Sequence, residues 1–251
     1  MKKIILLIIL AVLFNGANAQ SVFTDSLTGI EVSFITDDEM FPASWRSGNI
    51  NGYAVSLDTS EYERSKKIIS AALVKYPKEV LKKNLKKVYV LKSLHFYNVG
   101  YGGTNSTDAV YVTNKGANRN YSSQYIEQVF HAELSSILLR NYTQNIDESE
   151  WSECHDQEFV YGGAGHEAIR SGKASEYYDS AYHEMGFLNQ YATSNFENDL
   201  NSFAKNIFAP DPEFWTVCNK YENVKCKLKK AILFYRKINP VFTEEYFKKW
   251  E

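Results

Sequence analysis

Hydrophobic and polar positions alternate with period two over residues 29–35 and again over residues 53–57, which predicts two strands. After Thr59 the apolar spacing becomes helical: Ile68, Ile69, Ala72 and Leu73 recur until Pro77 interrupts, with Ser60 as N-cap and Glu63 three residues on. A short basic helix reaches to about Lys86. Residues 88–96 are rich in β-branched and aromatic side chains and predict a strand, with residues 109–113 as its partner and Gly100-Tyr101-Gly102-Gly103 as a turn between them. That glycine run lacks the helix start, Lys and Ser/Thr that a phosphate-cradling loop places in order. Beyond residue 120 the pattern is mostly helical: 125–142, a loop-rich stretch with Gly162, Gly163 and Gly165, then 194–208, 223–238 and 243–250. Strands first and helices afterwards predict an α+β domain, an N-terminal mixed sheet with helices followed by a mostly helical C-terminal half.

The first nineteen residues stand apart from this pattern. Lys2 and Lys3 precede an unbroken apolar run from Ile4 to Phe14, and Ala17-Asn18-Ala19 closes it, the arrangement of a secretory signal peptide. Eleven apolar residues fall short of the roughly 18–20 that cross a bilayer, so the segment is not a transmembrane helix, and no Cys follows the cleavage point to carry a lipid. The expected organisation is a signal peptide over 1–19 and one domain over 20–251, secreted or periplasmic after cleavage near Ala19. Losing Lys2 and Lys3 from 28 basic residues leaves 26 against 30 acids, a net of −4 that argues against a nucleic-acid partner. Cys154, Cys218 and Cys226 permit one disulfide with one thiol left over; Cys218 and Cys226 are the nearer pair in sequence, and the pairing stays open. No Cys-x-x-Cys and no Gly-x-Ser-x-Gly occurs, which leaves cysteine-metal and serine-hydrolase chemistry without a signature.

The helix predicted over 125–142 carries the chemistry. At about 100 degrees per residue, Ile126, Val129, Phe130, Leu134, Ile137 and Leu138 form one apolar face, and Glu133 points into it. A carboxylate among apolar side chains is costly unless it is paired or functional. Arg140, two turns later on the same side, is the nearest partner the sequence offers. His131 lies about 200 degrees from Glu133 and reads as a surface or partly buried histidine at the helix edge. His95, His155, His166 and His183 are scattered, and a non-standard metal site built from several of them is the alternative to their structural roles.

Glu133 on this helix, with the downstream Gly186–Leu200 segment and its Tyr191-Ala192, resembles the candidate zinc-binding metallopeptidases of secreted bacterial proteins over residues 88–208. That family is zincin-like, with an HExxH helix and a third, acidic ligand from a later helix. In HExxH the two His, four apart, share a helix face on one zinc ion while the Glu beside the first activates the metal-bound water. In the register set by Glu133 those His positions hold Ala132 and Ser136, and the acidic position, seven residues after Tyr191, holds Asn198. The resemblance thus leaves Glu133 in the general-base position and Tyr191 in the substrate-polarising position with no protein ligand for zinc. Asp199, at the edge of the apolar stripe Phe196, Leu200, Phe203 and Ile207, is the candidate inward-facing acid, whereas Ser194 and Glu197 form a capping box. The expectation is a noncatalytic protein without a cofactor that binds a peptide, partner or envelope component in the cleft. The alternatives are an active zinc peptidase with a non-standard ligand set and Glu133 as base, and a purely structural protein in which Arg140 holds Glu133.

Overall fold

The computed structural model describes residues 20–156 and 158–251; the signal-peptide expectation lies outside them. The order of elements is β1 (Val22–Thr24), β2 (Glu31–Ser33), β3 (Tyr53–Ser56), α1 (Tyr62–Leu73), α2 (Lys78–Asn84), β4 (Lys87–Phe96), β5 (Val99–Tyr101), β6 (Gly103–Asn105) and β7 (Ala109–Thr113). Helices follow without further strands among the described residues: α3 (Ser123–Asn141), α4 (Glu148–Ser152), α5 (Gly165–Arg170), α6 (Ser180–Glu184), α7 (Phe196–Phe208), α8 (Phe214–Lys220), α9 (Glu222–Ile238) and α10 (Glu244–Lys248). The fold is α+β around one mixed sheet.

β4 organises that sheet. Its first half pairs in parallel with β2 and with β7, and its second half pairs antiparallel with β3 and with β5. β6 runs antiparallel to β7 and ends the path as an edge. The period-two pattern sorts the two faces. Val32, Val88, Val90, Val110 and Val112 meet α1, α3 and α7 in the main core, while Tyr89, Leu91, Ala109 and Tyr111 meet Met40, Phe41 and Trp45 of the β2–β3 connection in a second cluster. A sheet covered on both faces reads as a continuous apolar run, as residues 88–91 do.

Two local expectations are corrected, and the open disulfide pairing is resolved. The chain turns at Tyr97 and Asn98, whose φ values of 53° and 62° make the two-residue hairpin turn between β4 and β5; Gly100 and Gly103 instead lie in strands. Ser60 caps nothing, because α1 is entered through a 3-10 turn over Thr59–Glu61. The disulfide joins Cys154 to Cys226, leaving Cys218 buried and free. Sequence proximity does not decide the pairing, because Cys218 and Cys226 sit on different helices, α8 and α9. The bridge spans 72 residues and ties the loop after α4 to α9, so Cys154→Ser is expected to lower stability by roughly 2–4 kcal/mol in urea unfolding. A change under about 0.5 kcal/mol would show that the bridge constrains little.

Candidate functional site

Helices α3 and α7 lie against each other, and edge strand β6 passes along α3. Both helices are set by local caps. Ser122 Oγ accepts from Tyr125 N at 3.0 Å to start α3, and Asn195 Oδ1 accepts from Asn198 N at 2.8 Å to start α7. Asn195 therefore holds the cap that Ser194 and Glu197 were expected to form; the Ser194 hydroxyl donates to Tyr191 O and accepts from Asn198 Nδ2.

Between these elements lies a cavity of about 450 Å³. Ala132, Glu133 and Ser136 of α3, Asn198 of α7 and Tyr191 of the 3-10 turn preceding α7 all line it. Two glycines let the walls approach. A Cβ on Gly103 would stand 2.5 Å from Val129 Cγ1 and 2.8 Å from Glu133 Oε1, so β6 passes close against the Glu133 side chain. A Cβ on Gly165 would stand 2.6 Å from the Tyr191 hydroxyl.

Arg140 does not reach Glu133. Its guanidinium donates to Asn105 Oδ1 and to Ser106 O, with Glu197 Oε1 at 3.8 Å, and it is Asn105 Nδ2 that donates to Glu133 Oε2 at 2.5 Å. A strand side chain is thus interposed between two helix residues that spacing alone had paired. Asp199 is inward-facing but turns into the core rather than the cavity. Its Oδ2 accepts from Lys227 Nζ at 2.7 Å, Trp151 Nε1 at 2.8 Å and the Tyr161 hydroxyl at 2.9 Å. His131 is not at a surface edge. It is fully buried, bonded through Nδ1 to the Tyr76 hydroxyl at 2.9 Å and stacked on Phe208, and burial pushes its pKa down to about 4.

Among the further polar residues of the cavity that sequence reasoning missed are Asn105, Glu176, Asn201 and Lys205. Asn198, Asn201 and Lys205 stand at i, i+3 and i+7 on α7, a polar stripe beside the apolar one, and that spacing was the available signal. Asn201 Nδ2 donates to Ser136 Oγ at 2.8 Å, and Lys205 pairs with Glu176.

Burial pushes the Glu133 carboxyl up to about 7; the Asn105 bond opposes this, Glu197 adds to it, Arg140 opposes it, and Glu176 adds to it. Tyr191 is likewise raised, by burial and then by the Glu133 and Glu176 carboxylates, so its hydroxyl stays protonated beside Glu133. A carboxyl whose folded pKa lies above its unfolded one stabilises the protein at low pH, and that contribution is lost as pH rises through the folded value. Urea unfolding of wild type and Glu133→Gln is expected to diverge between about pH 4.5 and 7, the variant gaining roughly 3 kcal/mol on wild type by pH 8. Parallel pH profiles would show that Glu133 is not held up.

Zinc is the metal the resemblance implies, and the donors do not fit it. Ala132, Ser136 and Asn198 offer a methyl, a hydroxyl and a carboxamide where zinc prefers imidazole, thiolate or carboxylate. Of the cavity acids, Glu176 is paired with Lys205, Glu197 lies near Arg140 and Glu133 accepts from Asn105. Among the described residues no three His, Cys, Asp or Glu side chains gather so as to hold a metal ion. Of the remaining histidines only His166 lines the cavity, and it stacks on Tyr97; His95 stacks on Tyr53, His155 on Phe187, and His183 Nε2 lies 3.0 Å from Leu188 O. What the cavity can do without a metal is bind by hydrogen bonds and exchange a proton at Glu133 near neutral pH.

In overall fold the chain is similar to the crystal structure of a candidate zinc-binding metallopeptidase from Bacteroides caccae, with a TM-score of 0.52 over 85% of this chain and 83% of that one. Sequence identity is 13%, so the likeness is one of fold alone. No family model matches the chain, and no curated protein is significantly similar to it. No helix among the described residues is long and apolar enough to cross a membrane.

Proposed function

We propose that the protein is an exported, single-domain, zincin-like relative of metallopeptidases whose zinc ligands have been replaced, and that it uses the former active-site cleft to bind rather than to cleave. The observation that carries this reading is the convergence of Ala132, Ser136 and Asn198 on the cavity that also holds Glu133 and Tyr191. The three positions that the resemblance assigns to zinc ligands, on two helices, line one cavity, yet none carries a zinc donor. The fold likeness to a candidate zinc-binding metallopeptidase supports the ancestry. A disulfide between Cys154 and Cys226 supports export, since such bridges persist in oxidising compartments.

Without a metal to polarise a carbonyl and lower the pKa of bound water, Glu133 and Tyr191 lack the electrophile on which peptide hydrolysis at such a site depends. Their remaining role is to orient a ligand by hydrogen bonds. Purified mature protein, equilibrated with zinc chloride and desalted, is expected to retain well under about 0.1 equivalent of zinc by elemental mass spectrometry, because structural and catalytic zinc sites otherwise hold the ion tightly. Stoichiometric zinc, lost on Glu133→Gln or on substitution of a histidine, would establish the non-standard peptidase in its place.

A further inference from the structure

The wall of the cavity is about evenly polar and apolar, more polar than a recess for an apolar ligand. Pockets that take apolar groups are lined mainly by aliphatic and aromatic side chains, with a few polar groups placed for orientation. Here Val129 and Ile169 are the only aliphatic side chains larger than alanine among the described lining residues. Carboxamides dominate instead: Asn105, Gln128, Asn189, Asn195, Asn198 and Asn201 all face the same space. Tyr101, Tyr125 and Tyr191 stand among them.

Two of these carboxamides hold a buried group without a partner among the described residues. Asn189 is 1% exposed; its Oδ1 accepts from Ala192 N at 3.0 Å, and its Nδ2 is unpaired. Asn201 spends Nδ2 on Ser136, and its Oδ1 is unpaired. Both atoms belong to residues of the cavity wall but are themselves closed off as packed here, so a ligand that donates and accepts relieves them only if these side chains rotate toward it.

We infer that this cavity takes a neutral polyhydroxylated ligand of the saccharide class, held by the carboxamides of α7 and its approach, by Glu133 and by the surrounding tyrosines. This rests on the reading that the cleft binds without cleaving. Each hydroxyl of such a ligand donates and accepts, so it pairs with either end of a carboxamide, and the two oxygens of Glu133 suit neighbouring hydroxyl donors. Tyrosine rings offer apolar faces to the C–H side of a sugar ring while their hydroxyls stay in the polar network. A peptide would also find partners for its main chain, but its apolar side chains would find no matching recess. A free anion would meet Glu133 and Glu197. A cationic group would find Glu176 already taken by Lys205 and Glu197 beside Arg140.

The test presents labelled mature protein to a glycan array and a peptide array in parallel, followed by calorimetry with the strongest glycan. The expected result is capture on glycans alone. Ala132→Phe, which fills the cavity between Glu133 and Ser136 without removing a polar group, should abolish it, and Asn198→Ala should weaken it about tenfold through the loss of hydrogen bonds. Thermal unfolding of both variants separates lost binding from lost fold, and Asn198→Ala carries the test if Ala132→Phe is unfolded. Capture of peptides that Ala132→Phe abolishes overturns the saccharide class while leaving the noncatalytic binding reading in place. Glycan capture unmoved by both variants puts the ligand elsewhere, and no glycan capture at all is equally contrary; either overturns the inference. Stoichiometric zinc in the wild type overturns the underlying reading instead.

Discussion

Lys227→Met is expected to cost about 3–5 kcal/mol of stability at neutral pH, because it leaves a carboxylate buried without a counter-charge. Lys227 and Asp199 are both fully buried. The ammonium lies 2.7 Å from Asp199 Oδ2 and 3.5 Å from the centre of the Phe187 ring. Burial pushes Asp199 up and Lys227 down, against the ion pair, and the pair persists because Lys227, Trp151 and Tyr161 all donate to one carboxylate oxygen. With the ammonium gone, Trp151 and Tyr161 remain as partners but no positive charge does.

The sign of the pH dependence is a separate check. An uncompensated, buried Asp199 has a folded pKa above its unfolded one, so the variant is stabilised by protonation at low pH and loses that support as pH rises. The deficit of Lys227→Met relative to wild type is therefore expected to shrink toward pH 4 and to widen toward pH 8. Combining Lys227→Met with Asp199→Leu should recover much of the loss, since an apolar pair of similar volume often replaces a buried ion pair at little cost. The recovery is incomplete because Trp151 Nε1 and the Tyr161 hydroxyl then lose their acceptor. A pH-independent loss, or a double variant no better than the single one, would mean that packing rather than charge sets the effect.

The same acid shows how far the sequence could be read. That Asp199 turns inward follows from its place beside Phe196, Leu200 and Phe203 on α7. Its partners do not follow, because Lys227 and Trp151 lie 28 and 48 residues away and meet it only through the packing of α4 and α9 on α7. The long elements with strong periodicity, β4, β7, α1, α3, α7 and α9, were legible from apolar spacing. Short elements divided: β2, β3, α2 and α10 fall in stretches whose pattern predicted them, whereas β1 was not read, and β5 and β6, three residues each, are too brief for a period and their glycines read as a turn. β6 nonetheless supplies Asn105, which partners Glu133 in the place expected of Arg140. Positions 132, 133, 136, 191 and 198, whose register came from a resemblance, line one cavity. Of the carboxamide wall around them only the Asn198–Asn201 spacing on α7 offered a local pattern; Asn105, Gln128 and Asn189 come from separate segments and share none.

The central claim is that Ala132, Ser136 and Asn198 occupy the geometry of a metal site without its donors, and the most direct measurement is to return those donors. The triple variant Ala132→His, Ser136→His, Asn198→Glu places two imidazoles one helical turn apart on α3 and a carboxylate on α7, all on the cavity that holds Glu133. Titrated with zinc by calorimetry, with folding verified by circular dichroism, it is expected to bind one equivalent, with an affinity that falls below about pH 6 as the imidazoles protonate. The wild type should bind none under the same conditions. A folded triple variant that binds no zinc would contradict the account, because the three positions would then not converge as a zincin site does.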